Sequence, residues 1–317
     1  MRVFVTGASG WIGSAVVPEL LAHGHSVVGL ARSDASAGAL EQAGAEVVRG
    51  GIDDLDVLRD AAAGSDGVIH LAFKHDIAFS GDYAGAATSD SAAIETLGSA
   101  LEGTGKPCFI ASGVLGLTAP GRVATETDGH DIDPSAVGPA ARALNAELAL
   151  AFAERGVRSG TVRLAPTVHG AGDEGFMASI VGVAKEKGVS AYVGDGSNRW
   201  PAVHRSDAAR LYRLALEQAP AGSTLHAVAE EGVSFRDIAE AIGRELDVPV
   251  TSIDPADPAD AAAHFGWLGG FIGLDSVASS AATRELLGWQ PTGPSLIEDL
   301  DAGHYTRSEQ ADWAPSR

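Results

Sequence analysis

Three glycines near the amino terminus, spaced as Gly-x-x-Gly-x-x-Gly, are the residues of this chain best suited to hold a phosphate group. They follow a short apolar run, residues 3–6, and lead into an amphipathic segment. Glycine lets a strand-to-helix turn bend tightly and approach a ligand, and the N–H groups at a helix start favour an anion. The sequence therefore predicts a dinucleotide pyrophosphate on this turn, and the alternative is a tight turn without a ligand. The residues expected to line it are Gly7, Ser9, Gly10, Trp11, Ile12 and Gly13.

The residues after the second predicted strand indicate which dinucleotide binds. NAD-binding units carry an acidic residue at this point, about 20 residues past the glycines, for the ribose hydroxyls. Here Arg32 and Ser33 follow the strand instead, and a guanidinium can hold a 2′-phosphate through two parallel hydrogen bonds. We therefore predict NADP (NADPH), with Arg32 as the main determinant and Ser33 assisting. The negative charge of Asp34 opposes the binding of a 2′-phosphate. The alternative is that Arg32 is a solvated loop residue.

The turn Thr-Gly-Ala-Ser-Gly-Trp-Ile-Gly, residues 6–13, resembles the cofactor turn of the short-chain dehydrogenase/reductase superfamily, and most of all its extended, epimerase-type branch. The resemblance covers most of the chain, roughly residues 1–300. It implies a nicotinamide cofactor bound at the carboxyl edge of a doubly wound sheet, with a substrate cleft above that edge.

The same resemblance implies further cofactor contacts at the ends of the later strands. After strand three the family usually has Gly-Asp-Leu beside the adenine, whereas this chain has Gly51 and Ile52, with a carboxylate on Asp53 one position later. The segment that begins at His70 resembles the family's His-Leu-Ala, which lines the ribose and the phosphates. The expected contacts are Ile52, Asp53, Leu71, Ala72, Phe73, Lys74, Ala111, Pro166 and Val168, the last two bordering the nicotinamide amide.

The family's catalytic pair is absent from this chain. Related enzymes supply a proton from a tyrosine, whose pKa is lowered by a lysine four residues later on the same helix face. None of the four tyrosines is followed by such a lysine, because those positions hold Ala87, Gly196, Leu216 and Glu309. If Glu147 matches the family's glutamate, the tyrosine position falls at Pro139 and the lysine position at Ala143. Neither residue can transfer a proton.

Two residues that follow strand four are candidates for the catalytic role of the missing tyrosine–lysine pair. His75 stands between Lys74 and Asp76, and a histidine beside a carboxylate can donate a proton near neutral pH. A solvated loop is an equally good interpretation of this segment. Asp90, on the following helix, matches the position at which some atypical relatives carry aspartate instead of asparagine.

Three more candidates lie near the ends of later strands or on the helix that normally carries the catalytic pair. Ser112 ends strand five, close to the family's serine, and a turn hydroxyl is its alternative role. Arg142 either contacts the nicotinamide ribose or substrate, or is a surface cation. His169 replaces a family tyrosine in the segment after strand six and faces the cofactor or the cleft, unless it is a packed loop histidine.

The segment 194–207 resembles the family's Val-His-Val-x-Asp that precedes a helix. Asp207 fits the position of the cap of that helix. Arg199, Trp200 and His204 are possible substrate contacts, and packing is the more usual role of such a tryptophan. None of these residues identifies a nucleotide sugar.

The elements that must position these residues alternate between strand and helix through the first half. Such alternation predicts an α/β fold, a doubly wound parallel (Rossmann) sheet with helices on both faces and a smaller C-terminal substrate lobe. We expect a dinucleotide-binding domain over residues 1–170, residues 201–220 packing back onto it, a lobe over 171–317, and irregular structure over 249–283. Predicted strands cover 3–6, 26–31, 46–49, 67–72, 107–111, 158–166 and 223–228, and predicted helices cover 11–23, 35–43, 53–63, 84–103, 138–155, 207–218 and 235–246.

Composition excludes several classes of partner. A formal net charge of −20 over 317 residues argues against a nucleic-acid-binding face. The only cysteine, Cys108, lies in a predicted buried strand and is expected to be a core residue. A strand that begins at Arg2 leaves no room for a signal peptide, and without an apolar run long enough for a membrane we expect a cytoplasmic protein. No metal site is expected, and a homodimer through helices 84–103 and 138–155 is possible.

These observations predict an NADPH-dependent oxidoreductase that acts on a small carbonyl or hydroxyl compound, with His75 or water in place of the tyrosine. The first alternative is an NADP-binding sensor or regulator without catalytic activity, which the missing catalytic pair favours. The second is an epimerase or dehydratase of a nucleotide sugar. That chemistry also depends on the lost tyrosine.

Overall fold

The computed structural model describes residues 1–130, 132–133, 139–256 and 258–306. Its strands are β1 Arg2–Thr6, β2 Ser26–Ala31, β3 Glu46–Arg49, β4 Gly67–His70, β5 Pro107–Gly113, β6 Val123–Ala124, β7 Arg158–Leu164, β8 Thr167–His169, β9 Ser190–Val193, β10 Arg199–His204, β11 Ser223–Ala227, β12 Glu230–Ser234, β13 Val250–Ile253 and β14 Val277–Ala278. Its helices are α1 Gly13–Ala22, α2 Asp34–Gln42, α3 Leu55–Ala63, α4 His75–Phe79, α5 Tyr83–Ala100, α6 Pro139–Ala151, α7 Phe176–Lys187, α8 Arg205–Gln218, α9 Phe235–Leu246, α10 Pro258–Phe265, α11 Ala281–Leu287 and α12 Leu296–Asp301, with a 3₁₀-helix at Gly266–Gly270.

Seven parallel strands form the central sheet in the order β11-β7-β5-β4-β1-β2-β3. Its inner strands read as continuous apolar runs, because helices cover both faces and leave no side of the strand in water. In β1, for example, Val3, Phe4 and Val5 are all fully buried. The strand order reverses between β1 and β4, and in such sheets ligands bind outside the carboxyl ends at that point. The predicted fold class is confirmed.

Buried side chains of α1, α2 and α8 form a core with one face of the sheet, while those of α3 and α5 form a core with the other. Helix α8 lies against α1. Strand β11 pairs with β7 and so belongs to the central sheet. Elements from both halves of the sequence therefore contribute to the central sheet and the helices that cover it.

The rest of the second half builds a separate core around Met177, Trp200, Phe235 and Ile238. Strands β8, β10 and β12 form a three-stranded sheet beside it. The expected irregular stretch 249–283 contains regular elements instead. Strand β13 pairs with β9 and β14 pairs with β6, so partners far along the chain define these short strands.

Most predicted elements are present, with shifts at their ends that have local causes. Strand β4 ends at His70, two residues before the expected position. Beyond it the Leu71 N–H is shared between the carbonyl oxygen and Oγ1 of Thr6, and the Ala72 N–H donates to Thr6 Oγ1 at 3.2 Å. Strand β5 continues to Gly113, so that Ser112 lies within the strand. Residue 138, the expected start of the next helix, lies outside the described residues.

Two further expectations concern single features. Cys108 is buried in β5, and burial raises the pKa of its thiol to about 12. This confirms that it is a core residue. Among the helices of the described ranges, none combines the length and the apolar character that a membrane crossing requires.

Candidate functional site

The glycine-rich turn between β1 and α1 leaves a cradle that side chains would fill. Gly7 has a φ of +63°, and a Cβ built on it would lie 2.7 Å from the backbone nitrogen of Ala72. A Cβ on Gly13 would overlap the carbonyl oxygen of Gly7. The Gly10 N–H donates to that same carbonyl oxygen at 2.9 Å. The turn therefore depends on glycine for both its conformation and its close packing.

Helix α1 begins at this turn without a capping side chain. Its N-cap residue is Ile12, which has no acceptor, and its first turn contains no acidic residue. The N-terminal end of a helix dipole attracts anions, and the first N–H groups of the helix need acceptors. The cradle and the uncapped helix start thus fit the pyrophosphate of a dinucleotide.

The side chain of Trp11 has another role in this turn. Its Nε1 donates to the carbonyl oxygen of Val168 at 2.8 Å, and the Arg205 guanidinium lies 4.4 Å from its ring centroid. The indole therefore joins the cofactor turn to β8, where Val168 was expected to border the nicotinamide. Pro166, just before β8, is half-buried.

The end of β2 presents two arginines where sequence indicated one. Arg32 is exposed and makes no hydrogen bond or ion pair with any described residue. Ser33 is the N-cap of α2, and its hydroxyl accepts from the Ser36 N–H at 3.1 Å. Arg49, the last residue of β3, donates to the Ser33 carbonyl at 2.6 Å and to Asp34 at 2.5 Å.

Arg49 thereby offsets the Asp34 carboxylate that opposed NADP in the sequence interpretation. It lies there because β2 and β3 are parallel and in register, with Ala31 opposite Arg49. The signal that could have found it is its position as the final residue of the predicted third strand. Contacts between two strand ends were not considered from sequence.

Asp53 is already engaged by a lysine. Its carboxylate lies 2.5 Å from Lys74 Nζ, which also donates to Ser89 Oγ at 3.1 Å. The hydrogen bond from Lys74 holds the pKa of Asp53 below its usual value. Ile52 is buried beside it. An adenine amino group that donated to Asp53 would have to share this carboxylate with Lys74.

Behind the cradle lies a closed chain of buried polar groups. His70 Nε2 donates to Asp90 Oδ1 at 3.1 Å, and Asn145 Nδ2 donates to Asp90 Oδ2 at 2.7 Å. On the other side of the ring, His70 Nδ1 lies 2.7 Å from Thr6 Oγ1. Because Thr6 Oγ1 already accepts two backbone N–H groups, we assign its hydrogen to His70 Nδ1.

This chain ties β1, β4, α5 and α6 together at the strand ends. Burial on its own raises the pKa of Asp90, but the hydrogen bonds from His70 and Asn145, with the charge of Arg142, outweigh it and hold that pKa below its usual value. Asp90 is thus an ionised positioning residue beneath the site. Sequence reasoning assigned no role to Thr6 or Asn145, although Thr6 begins the glycine-rich turn and Asn145 lies on the helix that was searched for the catalytic pair.

Phe73, His75, Tyr83 and Arg142 form a cluster directly beyond β4. The Arg142 guanidinium lies 4.2 Å from the Phe73 ring centroid, and the Phe73 ring lies 5.0 Å from that of His75 and 5.9 Å from that of Tyr83. The Arg142 guanidinium lowers the pKa of the Tyr83 hydroxyl and so opposes the larger effect of burial, which raises it. Helix α5 positions Tyr83 here because it lies seven residues, or two turns, before Asp90.

The titration of His75 is unfavourable for the role expected of it. Loss of water around the ring, and then the charge of Arg142, lower the pKa of His75 to about 4. The imidazolium is therefore a minor species at neutral pH, although the residue keeps an exposed face. Burial raises the pKa of Tyr83, which keeps its hydroxyl protonated.

Sequence reasoning missed Tyr83 because it searched for a cation four residues later on the same helix. Here the cation comes from α6, which packs against α5. Ser112 and Ala111 are buried near the end of β5, and Ser112 lies opposite Arg163 of β7. Ser112 therefore lies at the same edge of the sheet as the cluster of Phe73, His75, Tyr83 and Arg142.

His169 lies in a buried cluster of histidines around the carboxylate of Asp299. Its ring is fully buried, and Nδ1 donates to Asp299 Oδ2 at 2.6 Å. His204 and His304 also approach that carboxylate, at 3.9 and 3.2 Å. The packed histidine that sequence analysis considered as the alternative is the arrangement found.

The residues before α8 also serve packing. Trp200 is fully buried, and Arg199 is paired with Asp275 at 3.1 Å. His204 is the N-cap of α8, so the expectation that Asp207 caps this helix is wrong. The Asp207 carboxylate instead accepts from the N–H groups at positions 292 and 293, because a chain segment far away in sequence folds against it.

Comparison with known proteins identifies the family to which this chain belongs. The family model described as "NAD dependent epimerase/dehydratase family" matches residues 3–228. The chain belongs to this NAD dependent epimerase/dehydratase family. Membership confirms the resemblance to extended short-chain dehydrogenases/reductases, and its members are for the most part nicotinamide-dependent oxidoreductases, epimerases and dehydratases.

Two full-length relatives of this family member come from yeasts. An uncharacterized protein of Schizosaccharomyces pombe is 46% identical over 96% of this chain and 100% of its own length. One of Saccharomyces cerevisiae is 44% identical over 96% of this chain and 99% of its own. Among solved structures, a dTDP-glucose 4,6-dehydratase from Streptomyces venezuelae with bound NAD is similar with a TM-score of 0.78, 20% identity and 99% of both chains covered. At that identity the likeness shows the fold alone.

Proposed function

We propose that this family member is an NADPH-dependent oxidoreductase that interconverts a small carbonyl compound and its alcohol. The observation that carries the cofactor choice is the pair Arg32 and Arg49 at the ends of β2 and β3. Arg32 makes no hydrogen bond or ion pair with the described residues, and Arg49 is paired with the carboxylate of Asp34, two positions after Arg32. A 2′-phosphate carries up to two negative charges, which such a site stabilises and which a plain ribose lacks.

When bound, NADPH supplies a hydride for the carbonyl carbon, and the carbonyl oxygen then needs a proton. We assign that proton to the Tyr83 hydroxyl. Its raised pKa keeps it protonated, and the Arg142 guanidinium beside it stabilises the phenolate left behind and the charge on the substrate oxygen. Ser112, at the end of β5, offers a second hydroxyl to the same oxygen.

This assignment replaces the proposed donor His75 by a tyrosine and a cation from two different helices. The chemical logic equals that of a tyrosine and a lysine on one helix, because in both cases a fixed positive charge lowers the cost of the phenolate. His75 and Phe73 then bound the site on the side of β4. Asp90 acts by orienting His70 and Asn145, which lie beneath the site.

A catalytically silent NADP sensor is the second candidate. The specific observation in its favour is the sequence Pro139 to Ala143, which replaces the family's catalytic pair. Nucleotide-sugar epimerisation or dehydration ranks third, since a dehydratase similar at 20% identity supports only the fold. The three candidate functions predict different turnover of a carbonyl substrate, whereas the oxidoreductase and the sensor predict the same NADP site.

The experiment measures Kd for NADPH and NADH, and NADPH oxidation with a panel of aldehydes, ketones and quinones. Arg32→Ala should raise the Kd of NADPH at least about tenfold and that of NADH less than about threefold, as expected for a lost charge-assisted hydrogen bond. Arg59→Ala is the matched control, because Arg59 is an exposed arginine paired with Asp56 on α3. Equal losses for both cofactors would refute the NADP assignment, and tight binding without oxidation would favour the sensor.

A further inference from the structure

Arg205, the first residue of α8, lies beside the glycine-rich turn that follows β1. Its guanidinium carbon is 4.4 Å from the centroid of the Trp11 ring. The half-buried side chain forms neither a hydrogen bond nor an ion pair with any residue of the described ranges, and loss of water lowers its pKa. The face of an indole attracts a cation but offers the guanidinium N–H groups no in-plane acceptor. The described residues therefore do not supply the hydrogen bonds that would offset this loss of water.

The other two arginines of α8 have acceptors within the protein. Arg210 Nη1 donates to the Gln290 carbonyl oxygen at 2.8 Å, and Arg213 Nε donates to Glu19 Oε1 at 2.7 Å. Arg205 differs from them because it stands at the start of the helix, where its nearest aromatic partner belongs to the cofactor turn. It is thus the arginine of α8 whose donors are left for a ligand.

Packing around Arg205 keeps its side chain against this turn. Trp11 Nε1 donates to the Val168 carbonyl oxygen at 2.8 Å, which fixes the indole against β8. A Cβ on Gly170, in the loop after β8, would lie 3.4 Å from Arg205 Cγ, and one on Gly172 would lie 3.9 Å from the Trp11 ring. The loop after β8 therefore passes close to both side chains and limits the positions that the guanidinium can reach.

Asp173 is the carboxylate whose charge acts on Arg205, but the two groups are not paired. Its oxygens are engaged by other donors, since the Gly175 N–H donates to Oδ1 at 2.7 Å and the Tyr305 hydroxyl donates to Oδ2 at 3.0 Å. This carboxylate therefore leaves the N–H groups of Arg205 open to a second anion.

Trp11 contributes a backbone donor to the same place. The N–H groups of Trp11 and Ile12 donate to no residue in the described part of the chain, and they stand at the uncapped start of α1. A diphosphate bound to these N–H groups has further anionic oxygens, and a guanidinium can take such oxygens through charge-assisted hydrogen bonds. One residue thus brings the free backbone N–H and the free guanidinium to the same end of the cradle.

We propose that Arg205 binds the diphosphate of the dinucleotide together with the backbone N–H groups of the cofactor turn. This inference rests on the proposed dinucleotide site and gives two arginines separate tasks. Arg32 recognises the 2′-phosphate and so favours NADPH over NADH, whereas Arg205 binds a group that both dinucleotides share. Trp11 holds the plane of the guanidinium, which lowers the cost of ordering it when the ligand binds.

The test separates the two phosphate groups by using ligands that carry one of them. ADP-ribose has the diphosphate without a 2′-phosphate, and 2′-AMP has the 2′-phosphate without a diphosphate. Arg205→Ala in the full chain should raise the Kd of ADP-ribose, NADH and NADPH about tenfold each and change that of 2′-AMP less than about twofold, as expected for a lost charge-assisted hydrogen bond. Arg32→Ala should show the reverse pattern, with weaker 2′-AMP and unchanged ADP-ribose.

Arg236→Ala is the matched control. Arg236 also stands near the start of a helix and lies 4.9 Å from the centroid of the Tyr192 ring, but its Nε donates to the Asp195 carbonyl oxygen at 2.9 Å. Its removal should leave all four Kd values unchanged. The tenfold difference between wild type and Arg205→Ala for ADP-ribose should also shrink as salt concentration rises, because salt screens a charge pair that is partly exposed.

Three outcomes would overturn the inference. They are ADP-ribose binding by Arg205→Ala as tight as that of wild type, an equal loss for ADP-ribose and 2′-AMP, and an effect of Arg205→Ala confined to the KM of a carbonyl substrate. The second would show a structural role, and the third would assign the guanidinium to the substrate. Failure of the proposed function gives a different result, namely no preference for NADPH or no NADPH oxidation while ADP-ribose binding still depends on Arg205.

Discussion

Two buried histidine–aspartate pairs in this molecule differ in how completely their polar atoms are satisfied. In His70–Asp90 both ring nitrogens and both carboxylate oxygens have hydrogen-bond partners. In His169–Asp299 a single hydrogen bond joins the two residues, while His169 Nε2 and Asp299 Oδ1 have none within the described ranges. Both pairs are almost fully buried.

The difference follows from what each pair connects. His70–Asp90 lies within the cofactor domain, where neighbouring strands and helices supply every partner. His169–Asp299 joins β8 to α12 across 130 residues of sequence, and three histidines share one carboxylate. A fully satisfied network holds a single geometry, and a partly satisfied one tolerates change. We therefore expect the cofactor side to be rigid and sensitive to substitution, and the substrate side to be tolerant.

The strongest test of a rigid cofactor side is Gly13→Ala. A methyl group there overlaps the Gly7 carbonyl oxygen, so the helix start must move and lose its alignment with the pyrophosphate. We expect a roughly 100-fold weaker Kd for NADPH and a loss of about 1–3 kcal/mol in the free energy of unfolding. Gly38→Ala is the control, since a Cβ on Gly38 of α2 meets nothing within 4 Å. Unchanged NADPH binding by Gly13→Ala would contradict the cradle.

Tyr83→Phe tests the border between the two sides. Removing the proposed proton donor should lower kcat about 100-fold, with the Kd of NADPH unchanged because the hydroxyl does not hold the cofactor. Tyr192→Phe provides a comparison. The Arg236 guanidinium lies 4.9 Å from the Tyr192 ring centroid, so this tyrosine also has an arginine beside it, but it lies outside the cleft. If both variants keep full kcat, Tyr83 is not the donor.

Asparagine substitutions compare the two carboxylates directly. In Asp90→Asn the amide nitrogen must face a donor, either His70 or Asn145, so a buried hydrogen bond is lost and we expect a cost of about 2–3 kcal/mol. In Asp299→Asn the amide nitrogen can take the position of Oδ1, which accepts no hydrogen bond and lies 3.2 Å from His304 Nδ1, and about 1 kcal/mol is expected. Urea unfolding measures both. A larger loss for Asp299→Asn would reverse the comparison.

The smallest effect is a pH dependence on the substrate side. Burial raises the pKa of Asp173 to about 6, against the hydrogen bonds from Gly175 and Tyr305. Because this folded pKa lies above the ordinary value, the carboxylate destabilises the fold above pH 6, and stability rises as pH falls through 6. Asp173→Asn removes that term, so its Tm relative to wild type should be higher at pH 8 than at pH 5. The same difference at both values would exclude the raised pKa.

Local patterns predicted elements on both sides of the molecule well. The bounds expected for β2, β3 and α9 agree with the structure, because periodicity, glycines and caps act within a few residues. The register of Ser112 and the end of β4 were less certain from sequence. The end of β4 depends on the neighbouring strand β1, since Thr6 Oγ1 accepts from the N–H groups of Leu71 and Ala72.

Sequence by itself determined the glycine turn, the parallel sheet and the absence of the family's tyrosine–lysine pair, since each follows from residue type and spacing along the chain. Only the tertiary structure decided that Arg49 stands beside Arg32, that Arg142 meets Tyr83, and that His169 binds Asp299. Those pairs join segments that no local periodicity relates. Their distances are set by strand register and helix packing, which exist only after the whole chain has folded.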